Sequence, residues 1–179
     1  MFVRIDRRRK LPVSIILRAL DLTNTEMLDV FFEKNEFLLS PKGIQLKLVP
    51  ERLRGEIAAF DIKAGRKMII EKDRRITVRH VRELEKAKVD ELAVPLEYLT
   101  GKVLAHDVID EETGELLATA NDELTAEIVE NFLEKGIEKI HTIFVNDLDR
   151  GSFISNTLKI DSTTGEITWA RPDGLDGTA

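Results

Sequence analysis

Three histidines and one run of carboxylates are the side chains in this sequence best suited to chemistry. His80, His106 and His141 stand 26 and 35 residues apart. They lack the HxxxH or HxH spacing that would bring two imidazoles to one helix turn or strand face around a metal. His106-Asp107 and His141 fall at corresponding ends of one sequence unit, so a shared metal is one reading. Partly exposed strand and helix histidines are the other, and the missing pattern favours it. Asp110-Glu-Glu-Thr-Gly-Glu115 has the composition of a calcium loop, yet not the alternating Asp/Asn spacing or terminal Glu of an EF-hand. A hairpin with Gly114 in the left-handed region explains it better. A general acid–base pair needs one carboxyl desolvated so that the two pKa values separate, and the acids here fall on polar positions of strands and helices. No phosphate-cradling glycine loop is present, and with no cysteine there is neither a disulfide framework nor a thiolate metal site. The reading assigns no catalytic residue, metal ligand or cofactor, and a hydrolase built on His106 ranks last among the functional hypotheses.

Charge is the stronger signal. The net charge of −6 over 179 residues conceals three blocks. Residues 1–18 carry six bases and one acid, residues 63–88 ten bases and four acids, and residues 107–149 thirteen acids against Lys135 and Lys139. Such asymmetry concerns partners and not the fold. Arg4, Arg7, Arg8, Arg9 and Lys10, just ahead of a helix, are candidates for phosphate contacts, which would give salt-dependent and largely sequence-independent nucleic-acid affinity. A solvated basic segment, or one paired with the acidic block, is the alternative. Aromatic residues are scarce at 6%, so base stacking by an isolated single-strand binder is not expected. Asp110, Glu111, Glu112, Glu115, Glu127 and Glu130 are candidates for a partner-docking face. The start of the chain, MFVRIDRRRK, has charges where a secretory apolar region should be, and no apolar run reaches the length of a membrane span. A cytoplasmic setting is expected.

The elements that must position these residues read as α+β. Pro12 and Val13–Leu20 form a short helix. Thr23-Asn-Thr-Glu26 is a capping box opening a second helix to about Lys34, with Met27, Leu28, Phe31 and Phe32 as its apolar face. Glu36–Leu39, the turn Ser40–Gly43 and the alternating Ile44–Val49 read as a hairpin closed by Pro50. Glu51–Arg54 reads as a connector.

A duplicated unit of hairpin, helix and strand follows. Gly55–Ile62 aligns with Gly101–Val108 as a strand, 46 residues apart. Lys67–Ile70 aligns with Glu115–Ala118, Thr77 and Thr125 are N-caps of ten-residue helices, and Val89–Val94 aligns with Ile137–Thr142. Gly136 is a good helix stop, whereas the first copy has Lys88 there. The expected organisation is residues 1–54 as a segment of helical pair and hairpin, 55–145 as the duplicated module (copies about 55–95 and 101–142), 146–163 as a return segment, and 164–179 as a frayed tail anchored only by Trp169.

Several continuous motifs are familiar. Arg4-Ile-Asp-Arg-Arg-Arg-Lys-Leu-Pro12 with Leu17-Arg-Ala-Leu20, Leu48-Val-Pro-Glu-Arg-Leu-Arg-Gly-Glu56, Arg74-Arg-Ile-Thr77, Asn146-Asp-Leu-Asp149, Ile154-Ser155 and Thr157-Leu158 occur in order over residues 2–161. They resemble the β subunit of bacterial DNA-directed RNA polymerase, in its lobe with the lineage-specific insertion of proteobacterial enzymes. The resemblance implies sandwich-barrel hybrid motifs in the insertion, and a piece without the polymerase's catalytic centre, hence no enzyme by itself. It implies β′, α, ω and sigma as partners within the parent nucleotidyltransferase, with DNA beside the Arg7–Lys10 segment. It further implies regulators of the DksA/TraR type on the insertion, and no membrane. A stand-alone nucleic-acid-binding domain using Arg7–Lys10 is the alternative. Residues 164–179 depart from the pattern and inherit no function.

Overall fold

The computed structural model describes residues 2–5, 9–146, 151 and 153–158; the expected tail lies outside them. The fold is α+β. A first hairpin pairs β1 (Phe2–Ile5) with β2 (Arg9–Pro12). Pro12 then caps α1 (Val13–Ala19) from outside the helix, its fixed φ suiting the entry. Thr23 opens α2 (Asn24–Phe31) as the capping box requires: its Oγ1 accepts the Glu26 N–H at 3.2 Å, and Glu26 Oε2 accepts the Thr23 N–H at 2.8 Å. The Thr23 N–H and the Thr23 hydroxyl, both donating to Glu26 Oε2 at 2.8 Å, hold the Glu26 carboxyl below its ordinary value. α2 ends at Phe31, three residues short of the expected Lys34, because Phe32 turns extended and Lys34 enters a strand. Met27 and Leu28 are fully buried, whereas Phe31, expected on the apolar face, is 46% exposed.

A four-stranded antiparallel sheet forms the centre. β3 (Lys34–Ser40) and β4 (Gly43–Lys47) make the expected hairpin, flanked by β7 (Glu91–Val94) on β4 and β10 (Lys139–Ile143) on β3. Period-2 alternation aims one row of each strand inward, and the register places Ile140, Phe37, Leu46 and Leu92 side by side, all buried. Each side chain of that row contributes roughly 1.5–3 kcal/mol by leaving water.

Each flanking strand closes one copy of the repeat, and the repeat starts earlier than the sequence suggests. Pro50–Leu53 is a single 3-10 turn after β4, and α4 (Leu96–Leu99) is a single turn after β7, at the same offset of 46. Glu51–Arg54 is therefore the opening of the first copy and not a connector. The expected strands over 55–62 and 101–108 are mostly irregular. They reduce to isolated bridges, Ile57 with Arg75, Val103 with Glu123 and Leu104 with Thr142, and to the short β5 (Ile62–Ala64) and β8 (Val108–Ile109). These pair with β6 (Lys67–Ile70) and β9 (Leu116–Ala118). The helices α3 (Val78–Lys86) and α5 (Ala126–Glu134) follow their threonine caps as expected.

Equivalence of the copies is closest in the backbone. Gly55 N–H reaches the Ile76 carbonyl and Gly101 N–H the Leu124 carbonyl, both at 2.9 Å. Asp61 and Asp107 accept the N–H of Lys72 and Ala120 at 2.9 and 2.7 Å. Asp73 and Asn121 share a left-handed φ of 63° and 78°, and so do Lys88 and Gly136 at 50° and 70°. The mismatch at Lys88 is thus one of residue type alone.

Two cores result. The larger joins the β3–β4 hairpin to both copies, from Phe37 and Leu53 through Leu84 and Leu99 to Val129 and Phe132, so no packing boundary falls at residue 54. The smaller packs α1, α2 and α6 (Phe153–Thr157) on the second copy only, around Met27, Leu28, Ala105, Ala120, Ile143, Ile154 and Leu158. Asn121 and Ser155 clamp it through Ser155 Oγ–H to Asn121 Oδ1 at 2.6 Å and Asn121 Nδ2–H to the Ser155 carbonyl at 3.1 Å. The equivalent face of the first copy is open: Ile57 is 67% exposed where Val103 is packed, and Ala59 is exposed where Ala105 is buried.

Candidate functional site

The acidic candidates are carried by the β8–β9 hairpin and by α5. Glu111 and Glu112 stand exposed on the turn, Glu127 and Glu130 on α5. Glu115 is exposed and lies 3.6 Å from Lys135, just past the end of α5. Asp110 does not belong to this surface. Its side chain is only 5% exposed; Oδ1 accepts the N–H of Glu112 at 2.9 Å and of Thr113 at 3.4 Å, and Oδ2 faces Lys135 Nζ at 3.6 Å. The Thr113 hydroxyl, the two N–H groups and the lysine hold its carboxyl below the ordinary value. Asp110 therefore organises the turn that presents Glu111 and Glu112, an Asx-type role that turn chemistry favours. Polar strand and helix positions predict solvated acids throughout, and Asp110 departs from that expectation because it is buried in the turn. Glu134, exposed on the same helix, completes the acidic stripe of α5 with Glu127 and Glu130; the i, i+3, i+7 spacing signals it and the reading missed it.

The histidines lie in a second group, where the helical pair meets the sheet. His106 Nε2 and Lys34 Nζ both lie 2.8 Å from Asp29 Oδ1 on α2. The His106 and His141 rings are 5.2 Å apart, and His141 Nε2 lies 3.6 Å from Glu36 on β3, which also pairs with Lys139 at 3.2 Å. Burial alone would raise Asp29, but hydrogen bonds from Lys34 and His106, with their charges, outweigh it and hold the carboxyl low. Burial acts on Glu36 in the same sense and is outweighed by Lys139 and, behind it, Lys47 and His141. Burial, then the neighbouring His106, pushes His141 below its ordinary value, against the pull of Glu36. Asp107, considered with His106 as a metal ligand, instead accepts the Ala120 N–H. Among the described residues no three His, Asp or Glu side chains are grouped to hold a metal. The cluster is an ionic clasp between α2, β3 and the second copy, invisible to spacing because Asp29 and His106 are 77 residues apart. His80 lies elsewhere, its Nδ1 accepting the Thr77 N–H at the start of α3.

A cavity of about 370 Å³ lies between the sheet, α4 and α6, lined by Arg52, Glu56, Tyr98, Lys102, Asn121 and Ser155 among others. Lys102 Nζ stands 4.2 Å from the centre of the Tyr98 ring. Burial lowers the Lys102 ammonium, with Glu56 opposing, while burial and Glu56 together push Tyr98 up to about 12. Tyr98 therefore stays a neutral phenol, and the lysine is held in place by a cation–π contact.

Of the basic candidates, Arg4, Arg9 and Lys10 sit on the first hairpin, whose second strand runs directly into α1, so the cluster does lie just ahead of a helix. Arg4 is exposed on β1 opposite Lys10, and Arg9 and Lys10 belong to β2; Arg7 and Arg8 lie outside the described residues. No helix among the described residues is long and apolar enough to cross a membrane. No protein-family model matches the chain.

Proposed function

We propose that this chain is a non-catalytic docking module of the RNA polymerase β-lobe type, receiving secondary-channel regulators on its second copy and flanking DNA with its basic hairpin. The observation that carries the reading is the division of charge between two structurally equivalent units, one basic and one acidic, on a common core. A scaffold that repeats its backbone while inverting its charge separates partners by electrostatics, which governs encounter and register more than raw affinity. The resemblance adds the partner class. Three of its motifs lie at described positions where they do structural work: Leu48–Glu56 builds the single turn and glycine corner of the first copy, Arg74–Thr77 pairs back onto that corner, and Ile154–Leu158 packs on the helical pair. The acidic turn and α5 offer a surface for a basic regulator, while Arg4 and the rest of its cluster suit phosphates.

The test is a titration of the purified chain with a DksA/TraR-type regulator, alongside duplex DNA, at two salt concentrations. Saturable regulator binding that weakens with salt, with feeble DNA binding, supports the reading. Strong salt-sensitive DNA binding abolished by Arg7→Ala, Arg8→Ala and Arg9→Ala, with no regulator binding, favours a nucleic-acid-binding domain instead.

A further inference from the structure

We propose that this chain also associates with second copies of itself head to tail, the basic face of α3 on one molecule receiving the acidic face of α5 on the next. Arg79, Arg82 and Lys86 on α3 correspond, 48 residues on, to Glu127, Glu130 and Glu134 on α5. All six are exposed. Spacing of i, i+3 and i+7 places each trio in a single stripe roughly 10 Å long at 1.5 Å per residue. Both helices leave a threonine cap at the same point of the repeat and run nine residues, so the stripes match in length as well as in spacing. Set antiparallel, Lys86 faces Glu127 and Arg79 faces Glu134, with Arg82 and Glu130 between them offset by one residue, about 1.5 Å along the axis.

Neither stripe is paired across elements among the described residues. Arg82, Lys86, Glu127, Glu130 and Glu134 make no ion pair among the described residues, and Arg79 reaches only Glu83 on its own helix at 3.3 Å. α3 packs on the 3-10 turn and β6, and α5 on α4. Each hairpin adds an exposed apolar side chain at an equivalent position, Met68 on β6 at 42% and Leu116 on β9 at 52%. Lys67 of β6 is held to α3 through Glu83 at 3.6 Å, and Glu115 beside Leu116 is held to Lys135.

Because the two faces differ, the contact is heterologous, and each molecule keeps one face free for the next. Exposed ion pairs are individually weak and screened by salt, so the association is concentration-dependent and dissolves as salt rises. It stands independently of the docking role, although a regulator on α5 would compete with it.

Sedimentation velocity of the full chain at about 0.01 M and about 1 M salt, where the Debye length is about 30 Å and about 3 Å, tests it. The weight-average mass should rise with concentration at low salt and return to monomer at high salt. Arg79→Glu/Arg82→Glu/Lys86→Glu and Glu127→Lys/Glu130→Lys/Glu134→Lys should each be monomeric, and their equimolar mixture should associate again. Milder glutamine replacements of the same trios should weaken association at least tenfold, which guards against misfolding of the reversed variants. A monomeric wild type at low salt, variants that associate unchanged, or a mixture that stays monomeric would overturn the proposal. So would a wild type that stays monomeric while binding duplex DNA through the α3 trio. Regulator binding retained by the α3 variant separates this test from that of the docking role.

Discussion

Lys88 and Gly136 end the equivalent helices in the same left-handed conformation, and exchanging their residue types is a direct experiment on the repeat. A side chain in this region costs about 1–2 kcal/mol relative to glycine, while glycine gives back about 0.5–1 kcal/mol through the freedom it loses on folding. The net advantage of glycine is therefore about 0.5–1 kcal/mol. No side-chain contact enters at either site: Lys88 is exposed without a side-chain partner among the described residues, and a Cβ at Gly136 would meet nothing within 4 Å. Lys88→Gly should stabilise the chain by that amount, Gly136→Lys should destabilise it by as much, and the double exchange should be close to neutral because the sites are distinct. Urea denaturation of the four proteins reads these differences as shifts of midpoint at constant slope; on heating, 1 kcal/mol corresponds to about 2–4 °C for a chain of this size. A destabilising Lys88→Gly, or a Gly136→Lys without effect, would refute the equivalence of the two helix ends.

Three further outcomes are expected. Thr23→Ala should cost about 1 kcal/mol by removing the cap on Glu26 N–H, measured by urea denaturation at neutral pH. Acidification should destabilise the clasp. Asp29 and Glu36 are held low, so their contribution is present above the unfolded carboxylate pKa and is lost as pH falls through the folded values; His141, also held low, resists protonation, so stability falls as pH drops below the ordinary histidine value of about 6.5. His141→Gln should flatten the pH dependence of the urea midpoint in that upper window, and an unchanged profile would show that His141 does not contribute. Phe132→Ala should cost about 3–5 kcal/mol and lower hydrogen-exchange protection in the β3–β4 hairpin as well as in α5; loss confined to α5 would contradict a common core.

Local signals carried most of the elements. The capping box at Thr23, the alternation in Ile44–Val49 and the threonine caps at 77 and 125 each dictate structure through bonds within a few residues, and each element formed. What escaped depended on tertiary pairing. Lys34 leaves α2 because β10 captures it, which no helical period reveals. Gly55–Ile62 and Gly101–Val108 have strand composition, but in place of a continuous ladder they make isolated bridges, Ile57 to Arg75 in the first and Val103 to Glu123 and Leu104 to Thr142 in the second. The single turns at Pro50 and Leu96 share Glu51/Glu97 and Leu53/Leu99 at the offset of 46 but differ at Pro50/Leu96 and Arg52/Tyr98, and the strands before them make the equivalence plain. Among site residues, the exposed glutamates were legible from polarity and helical spacing. Asp110 was not, since a buried carboxylate in a turn has the same sequence as an exposed one. The Asp29–His106 contact joins elements far apart in the chain, and spacing arguments do not reach it.

The most direct measurement of the docking role is a regulator titration against the wild-type chain and a Glu111→Lys/Glu112→Lys variant, at low and high salt. These two residues lie on the turn and outside the α5 stripe, so both proteins keep the same capacity for self-association and the comparison isolates the docking face. A DksA/TraR-type regulator should bind the wild type saturably at low salt, and the variant should bind more weakly with a shallower salt dependence. Equal affinity and equal salt dependence for both proteins would contradict an acidic docking face.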